Sequence, residues 1–189
     1  MKQLAKAELS HRKAVDIDKR FGIMDRWTFL MMQIFEAKAF LDLAENTHMV
    51  HPRSSMEEIL TQQALFRAFL LSYGKCFVSS GKGRSSLDPT KVFTGKDELS
   101  PVHDRMMDLR HKFAAHNDVS GLDEALIDVE EHVNEFVFSH RFAIANPLNE
   151  YGDYRKALKA LEEYVIDGAN SALNSLERQL GKRMVLRND

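Results

Sequence analysis

The clearest hydrophobic pattern in the chain lies between Asp25 and Asn46, where apolar residues recur at the three- and four-residue spacing of an α-helix. These positions are Trp27, Leu30, Met31, Ile34, Ala37 and Leu41. Asp25 is a typical N-cap, so the pattern predicts a long amphipathic helix that buries one face. Residues 3–19 are charged and weakly periodic, and they predict a solvent-facing helix that ends at Phe21–Gly22.

A capping box opens the third predicted helix, because Ser55 is followed three residues later by Glu58. The helix is predicted to run to about Ser79. It is apolar almost all round between residues 66 and 78, which is typical of the central element of a bundle. The stretch from residue 79 to residue 96 is rich in glycine, serine and lysine, so it predicts a loop.

The fourth predicted helix begins with Ser100 as its N-cap and Pro101 at its first helical position. We expect this helix to fray between residues 117 and 121. One stripe of apolar side chains faces the core, and its members are Val102, Met106, Leu109 and Phe113.

Farther along the chain, the apolar period changes from helical to alternating. Alternation in residues 125–129 and 136–144 predicts a β-hairpin that turns near residues 132–134, although a helix also fits this segment. The aromatic side chains of the hairpin are expected to pack on the bundle, with stacking on RNA bases as the alternative. A long helix is predicted from 149 to 180, closed by Gly181.

Together these elements predict a mainly α protein, a helical bundle of about five helices with a β-hairpin at residues 125–145 inserted before the C-terminal helix. The chain has 189 residues, of which 44% are hydrophobic and 29% charged. This length and composition predict one globular domain over residues 1–189.

Cysteine usage and hydropathy predict a cytoplasmic protein that does not engage a membrane. Cys76 is the only cysteine, which excludes an internal disulfide and fits a reducing compartment. Because it lies in the most apolar helix, we expect a buried, inert thiol rather than a nucleophile. No apolar run is long enough to span a bilayer, and the first residues are too polar for a secretion signal.

Candidate chemistry concentrates in the segment RHKFAAHND, residues 110–118, at the end of the fourth predicted helix. Arg110 supplies a permanently charged guanidinium, which can hold a phosphate and offset the charge that builds up on it. His116 supplies an imidazole, which can take the proton from a ribose 2′-hydroxyl or protonate the leaving oxygen. These groups suffice for RNA cleavage without a metal or other cofactor. The alternative is a helix-terminal histidine and a surface arginine without a catalytic role.

The spacing of this pair has two consequences. At about 100° per residue, Arg110 and His116 lie roughly 120° apart on an α-helix. Their convergence needs the long arginine arm, a frayed last turn or a second copy of the helix, so a functional interpretation predicts a homodimer with a composite cleft. Arg105 and His111 have the same spacing, so spacing alone is not specific.

The segment resembles the signature of the HEPN superfamily (higher eukaryotes and prokaryotes nucleotide-binding), in which an arginine is followed by a polar residue, a short run and a histidine. Here these residues are Arg110, His111 and His116. The upstream stretch LFRAFLLSYGKCF, the basic loop and the hairpin also look like bacterial members of this group. The resemblance covers residues 66–144 in specific features and the rest of the chain in helical architecture.

The resemblance implies a dimeric helical bundle. In active members it implies a metal-independent endoribonuclease of toxin–antitoxin, phage-defence or RNA-processing systems, with RNA and an antitoxin or other protein as partners. Other members are non-catalytic binding modules for protein, nucleotide or RNA. Arg110 and His116 would be the catalytic pair, and His111 would support the site.

Local charge predicts RNA contacts outside this motif. The net charge of −2 does not demand a polyanionic partner, but residues 75–96 contain five basic residues against one acid. We predict phosphate contacts from this segment and from the lysine next to His111, with a solvated surface as the alternative. The predicted contacts are Lys75, Lys82, Arg84 and Lys112.

A carboxylate-bridged metal centre is the alternative chemistry. Glu45 and His48 have the Glu-x-x-His spacing of di-iron helices. That motif occurs once, where two copies and two further carboxylates are needed, so no metal site is predicted.

Overall fold

The computed structural model describes residues 11–47, 55–79, 86–115, 123–144 and 147–184. Its five α-helices in this part of the chain are α1 (His11–Asn46), α2 (Met56–Lys75), α3 (Pro89–Val92), α4 (Ser100–Leu109) and α5 (Tyr151–Leu180). A π-helical turn, Arg110–Ala115, continues α4, and the antiparallel strands β1 (Asp123–Glu131) and β2 (Phe136–Ile144) precede α5. The predicted mainly α fold with an inserted hairpin is confirmed. None of these helices is both long and apolar enough to cross a membrane.

The hydrophobic core lies where α1 and α5 pack around α2 and α4. Phe66 of α2 is fully buried and stacks on Tyr151 of α5, with ring centroids 5.5 Å apart. Its ring also lies 6.0 Å from that of Phe113, so one aromatic cluster connects α2, α5 and the π-helical turn. The central position predicted for α2 is confirmed, and this position makes α2 the platform for the candidate site.

Helix α1 runs through the predicted break at Phe21–Gly22, so that prediction was wrong. Gly22 is exposed, and a glycine in an exposed helix interior costs only about 1 kcal/mol relative to alanine. Buried residues farther along α1, such as Leu30 and Leu41, stabilise the helix by more than this. Residues 3–10, the start of the predicted solvent-facing helix, lie outside the described residues.

The predicted loop at residues 79–96 contains the short helix α3. Asp88 caps this helix, and its carboxylate accepts a hydrogen bond from the backbone N–H of Thr90 at 3.0 Å. Val92 and Phe93 are buried, so the segment contributes to the core. The Asp-Pro start of the helix was a usable signal, but the surrounding glycine, serine and lysine residues obscured it.

Local capping signals predicted several helix ends correctly. Ser55 Oγ accepts from the N–H of Glu58 at 3.2 Å, and the Ser55 N–H donates to the Glu58 carboxylate at 2.8 Å, which completes the capping box. Gly181 closes α5 with φ +61°, a left-handed conformation that favours glycine. The N-cap of α4 was wrong by one residue, because Leu99 occupies it without a side-chain hydrogen bond and Ser100 is the first helical residue.

The hairpin forms as predicted, and the alternative prediction of a helix in this segment is wrong. The strands pair in register from Asp123–Ile144 to Glu131–Phe136, and the turn is closed by the His132 N–H donating to Glu135 O at 2.8 Å. For Phe136 and Phe138 the predicted packing of the hairpin's aromatic side chains on the bundle is wrong. Phe136 and Phe138 are 59% and 63% exposed, and among the described elements neither strand makes a substantial contact with a helix.

Candidate functional site

Arg110 is the first residue of the π-helical turn and packs against α2. A Cβ on Gly74 would lie 3.0 Å from Arg110 Cγ and 3.3 Å from Cδ, so the bare glycine provides the space that the arginine stem occupies. The Nε of Arg110 is buried and has no hydrogen-bond partner within the described part of the chain. A buried donor left in this way costs about 1–3 kcal/mol, and such groups in native structures often have a functional explanation.

Arg105 has the same sequence spacing to a histidine, but its guanidinium is already engaged. Its Nε and Nη2 donate to the carboxylate of Glu150 at 3.1 and 3.3 Å. The Tyr154 hydroxyl donates to the same carboxylate. The hydrogen bond to Glu150 raises the pKa of Arg105. Of the two arginines, Arg110 is therefore the better candidate for a phosphate ligand.

The helix that carries Arg110 does not remain α-helical beyond Leu109. Between Arg110 and Ala115 the backbone forms a π-helix, a rare geometry that is frequent at functional sites. The predicted separation of roughly 120° between Arg110 and His116 assumed α-helical geometry, whereas residues 110–115 are π-helical. His116 itself lies outside the described residues, so its position relative to Arg110 and the dimer inferred from it stay predictions.

A second arginine contacts the same turn. The guanidinium of Arg67 lies 4.4 Å from the ring centroid of Phe113, in a cation–π contact. Arg67 and Gly74 are seven residues apart, which places them on one face of α2. Sequence reasoning missed Arg67 as a site residue, although it is one of the few charged residues in the apolar part of α2. The structure thus brings two guanidinium-bearing residues to the contact between α2 and the π-helical turn.

The predicted RNA-binding residues differ in their surroundings. Lys75 is exposed and directly follows Gly74, so it lies at the same end of α2 as Arg110. Lys112 is exposed but forms an ion pair with Asp108 at 2.9 Å, which partly neutralises it. His111 is exposed. The remaining predicted contacts, Lys82 and Arg84, lie outside the described residues.

A buried histidine that sequence reasoning missed lies in the core. His103 Nδ1 is 2.7 Å from the Tyr73 hydroxyl oxygen, and the two rings are buried. Phe77 meets the imidazole edge-on, with centroids 4.4 Å apart. Burial lowers the pKa of His103, while the nearby Asp104 carboxylate opposes this shift. His103 lies three residues before Met106 on the apolar stripe, which was the available signal. Its contacts indicate a structural role.

The buried His103 makes stability depend on pH. Because its pKa is lower in the folded protein, the unfolded chain binds more protons once the pH falls below about 6.5. We expect the free energy of unfolding to fall from that pH down to the lowered pKa, by at most about 1.4 kcal/mol per pH unit. Urea unfolding at several pH values should show a flatter dependence in His103→Gln, which can still accept a hydrogen bond. Equal slopes in both proteins would contradict this expectation.

Neither the cysteine nor the di-iron spacing forms a reactive site in the described residues. Burial raises the pKa of the Cys76 thiol to about 12, which agrees with the predicted inert role. Glu45 forms an ion pair with Arg155, and His48 lies outside the described residues. Among the residues that are described, no three histidine, cysteine or acidic side chains lie close enough together to hold a metal ion.

A groove of about 370 Å³ lies between α1 and α5 and contains none of the predicted site residues. Its lining includes Met31, Phe35 and Ile166. Lys38 and Glu162 form an ion pair at 2.8 Å beside it. The groove is therefore separate from the candidate chemistry at Arg110.

Comparison with known proteins leaves the candidate site to be judged on its own geometry. No family model, curated protein or solved structure matches this chain. The HEPN resemblance and the single-domain assignment stay predictions from sequence.

Proposed function

We propose that this protein is a HEPN-like, metal-independent endoribonuclease that acts in the cytoplasm as a homodimer. One observation carries the proposal. Arg110 is held on Gly74 with a buried Nε that has no hydrogen-bond partner in the described residues, whereas Arg105 is neutralised by Glu150. A guanidinium held in this way is suited to a bidentate contact with a phosphodiester.

The proposed reaction is an internal transesterification of RNA. The imidazole of His116 takes the proton from a ribose 2′-hydroxyl, and the 2′-oxygen attacks the adjacent phosphorus. The bond from phosphorus to the 5′-oxygen breaks, and a general acid or water returns a proton to that oxygen. The products are a 2′,3′-cyclic phosphate and a 5′-hydroxyl. Arg110 offsets the charge that builds up on the phosphoryl oxygens.

The remaining predicted residues would bind and orient the substrate. His111 is exposed next to Arg110 and would support the site as the polar residue of the motif. Lys75 and Lys112 would contact flanking phosphates, together with Lys82 and Arg84. The resemblance supplies the role of His116, the dimer and an antitoxin or other protein partner.

A second candidate function is a non-catalytic HEPN-like module that recognises protein, nucleotide or RNA. The exposed aromatic side chains of the hairpin favour this candidate, because an exposed apolar patch often marks a protein-binding surface. In such a module Arg110 would bind an anionic group without cleaving it.

Incubation of the purified full-length protein with mixed RNA in excess chelator tests the proposal. We expect cleavage that persists in chelator and yields 2′,3′-cyclic phosphate and 5′-hydroxyl ends. Sedimentation of the same sample should report a dimer. Absence of cleavage, or cleavage abolished by the chelator, would contradict the nuclease and favour the binding module if RNA is still bound.

A further inference from the structure

One face of the hairpin exposes four large apolar side chains. Residues on alternate positions of the two strands share a face, and the register pairs Val129 with Phe138 and Glu131 with Phe136. We call these four side chains the aromatic face. They are 53–63% exposed and comprise Ile127, Val129, Phe136 and Phe138. Glu131 and His140 lie on the same side of the hairpin.

The opposite face of the hairpin combines charged side chains with two less exposed apolar residues, Leu126 and Val137. Arg141 lies directly across from Leu126 and donates from Nη2 to the Asp128 carboxylate at 2.7 Å. Glu130 on the same face is also exposed. Antiparallel sheets commonly leave one face in water and pack the other against a neighbouring layer.

The described bundle does not cover the aromatic face. An isolated two-stranded hairpin is only marginally stable in water, and packing against another layer is the usual source of its stability. No helix in the described part of the chain makes a substantial contact with either strand, which leaves the aromatic face open to a partner.

Charge identifies the kind of partner. The hairpin, residues 123–144, contains six carboxylates and one arginine, a net charge of −5 with histidines neutral, against −2 for the whole chain. This charge repels RNA and the hairpin of a second copy, and it attracts a cationic surface. We infer that the aromatic face docks an amphipathic polypeptide segment of another protein, in which apolar residues alternate with lysine or arginine. This inference does not depend on the proposed nuclease activity.

Binding of two synthetic peptides to the full-length protein tests the inference. One peptide alternates lysine with leucine, and its control alternates glutamate with leucine. We expect binding of the lysine peptide that weakens as salt is added, and no binding of the glutamate peptide. Phe138→Ser should weaken binding roughly 10- to 100-fold, because a buried aromatic contact is lost. Val137→Ser changes an apolar residue on the opposite face and should alter affinity by less than about threefold.

A charge variant keeps the test valid if Phe138→Ser unfolds the hairpin. Glu130→Gln combined with Glu131→Gln keeps the four apolar side chains of the aromatic face and removes one carboxylate from each side of the hairpin, so it should weaken binding of the lysine peptide and reduce its salt dependence. Equal binding of both peptides, equal losses in Phe138→Ser and Val137→Ser, or no effect of the charge variant would overturn the inference. So would a dimer that forms without peptide and is lost in Phe138→Ser, because a second copy would then be the occupant.

Discussion

Arg110→Ala is expected to reduce the rate of RNA cleavage in excess chelator by about 10²- to 10³-fold, the usual effect of removing one donor to a developing oxyanion. The fold should survive this change, because Arg110 is only half-buried and its Nε has no hydrogen-bond partner in the described residues to lose. Single-turnover cleavage of a labelled RNA measures the effect. His116→Ala should reduce the cleavage rate by about 10²- to 10⁴-fold, because His116 is the proposed general base.

Arg105→Ala is the matched control for Arg110→Ala, because both arginines precede a histidine at the same spacing. Removal of Arg105 leaves the partly buried carboxylate of Glu150 without its cation and should lower stability. Cleavage per folded molecule should change by less than about threefold. A larger loss of cleavage rate in Arg105→Ala than in Arg110→Ala would mean that Arg105, and not Arg110, contacts the phosphate.

Gly168→Ala is expected to lower the free energy of unfolding by up to about 2 kcal/mol. Gly168 lies within α5, where a Cβ would stand 2.2 Å from Cη2 of Trp27 and 2.6 Å from two other atoms of the ring. Relief of this overlap requires α1 and α5 to separate or the indole to leave its position, and overpacking of this kind costs about 1–3 kcal/mol or more. The higher helix propensity of alanine offsets about 1 kcal/mol.

Urea unfolding followed by fluorescence measures this change, because Trp27 is the only tryptophan and reports directly on the contact. Gly152→Ala is the control in the same helix, since a Cβ there would meet nothing within 4 Å. It should leave stability unchanged or raise it by about 0.5–1 kcal/mol. Equal stability of Gly168→Ala and Gly152→Ala would mean that α1 and α5 do not pack as described.

The parts of the fold that depend on residues close together in sequence could be predicted. The capping box at Ser55 and the glycine that closes α5 are local signals, and so is the alternation of the hairpin. The end placed at Gly22 failed because packing elsewhere along α1 overrode a weak local preference. The aromatic face was predicted to be buried because periodicity shows which residues share a face but not what covers that face.

In the candidate site, too, the local features could be predicted from sequence and the long-range contacts could not. Sequence placed Arg110 at the end of a helix, next to an exposed His111. It could not predict that Gly74, 36 residues away, accommodates the arginine stem, or that Glu150 engages Arg105. Both facts depend on contacts between residues that are distant in sequence.

The central claim is that Arg110 holds a phosphate of bound RNA. Its most direct test is the affinity for a single-stranded RNA with every ribose 2′-O-methylated, which cannot be cleaved, measured over a range of salt concentrations. We expect Arg110→Ala to bind more weakly and the slope of log affinity against log salt to fall by about 0.7, the loss of one phosphate contact. The same affinity and slope as the unmodified protein would contradict the claim.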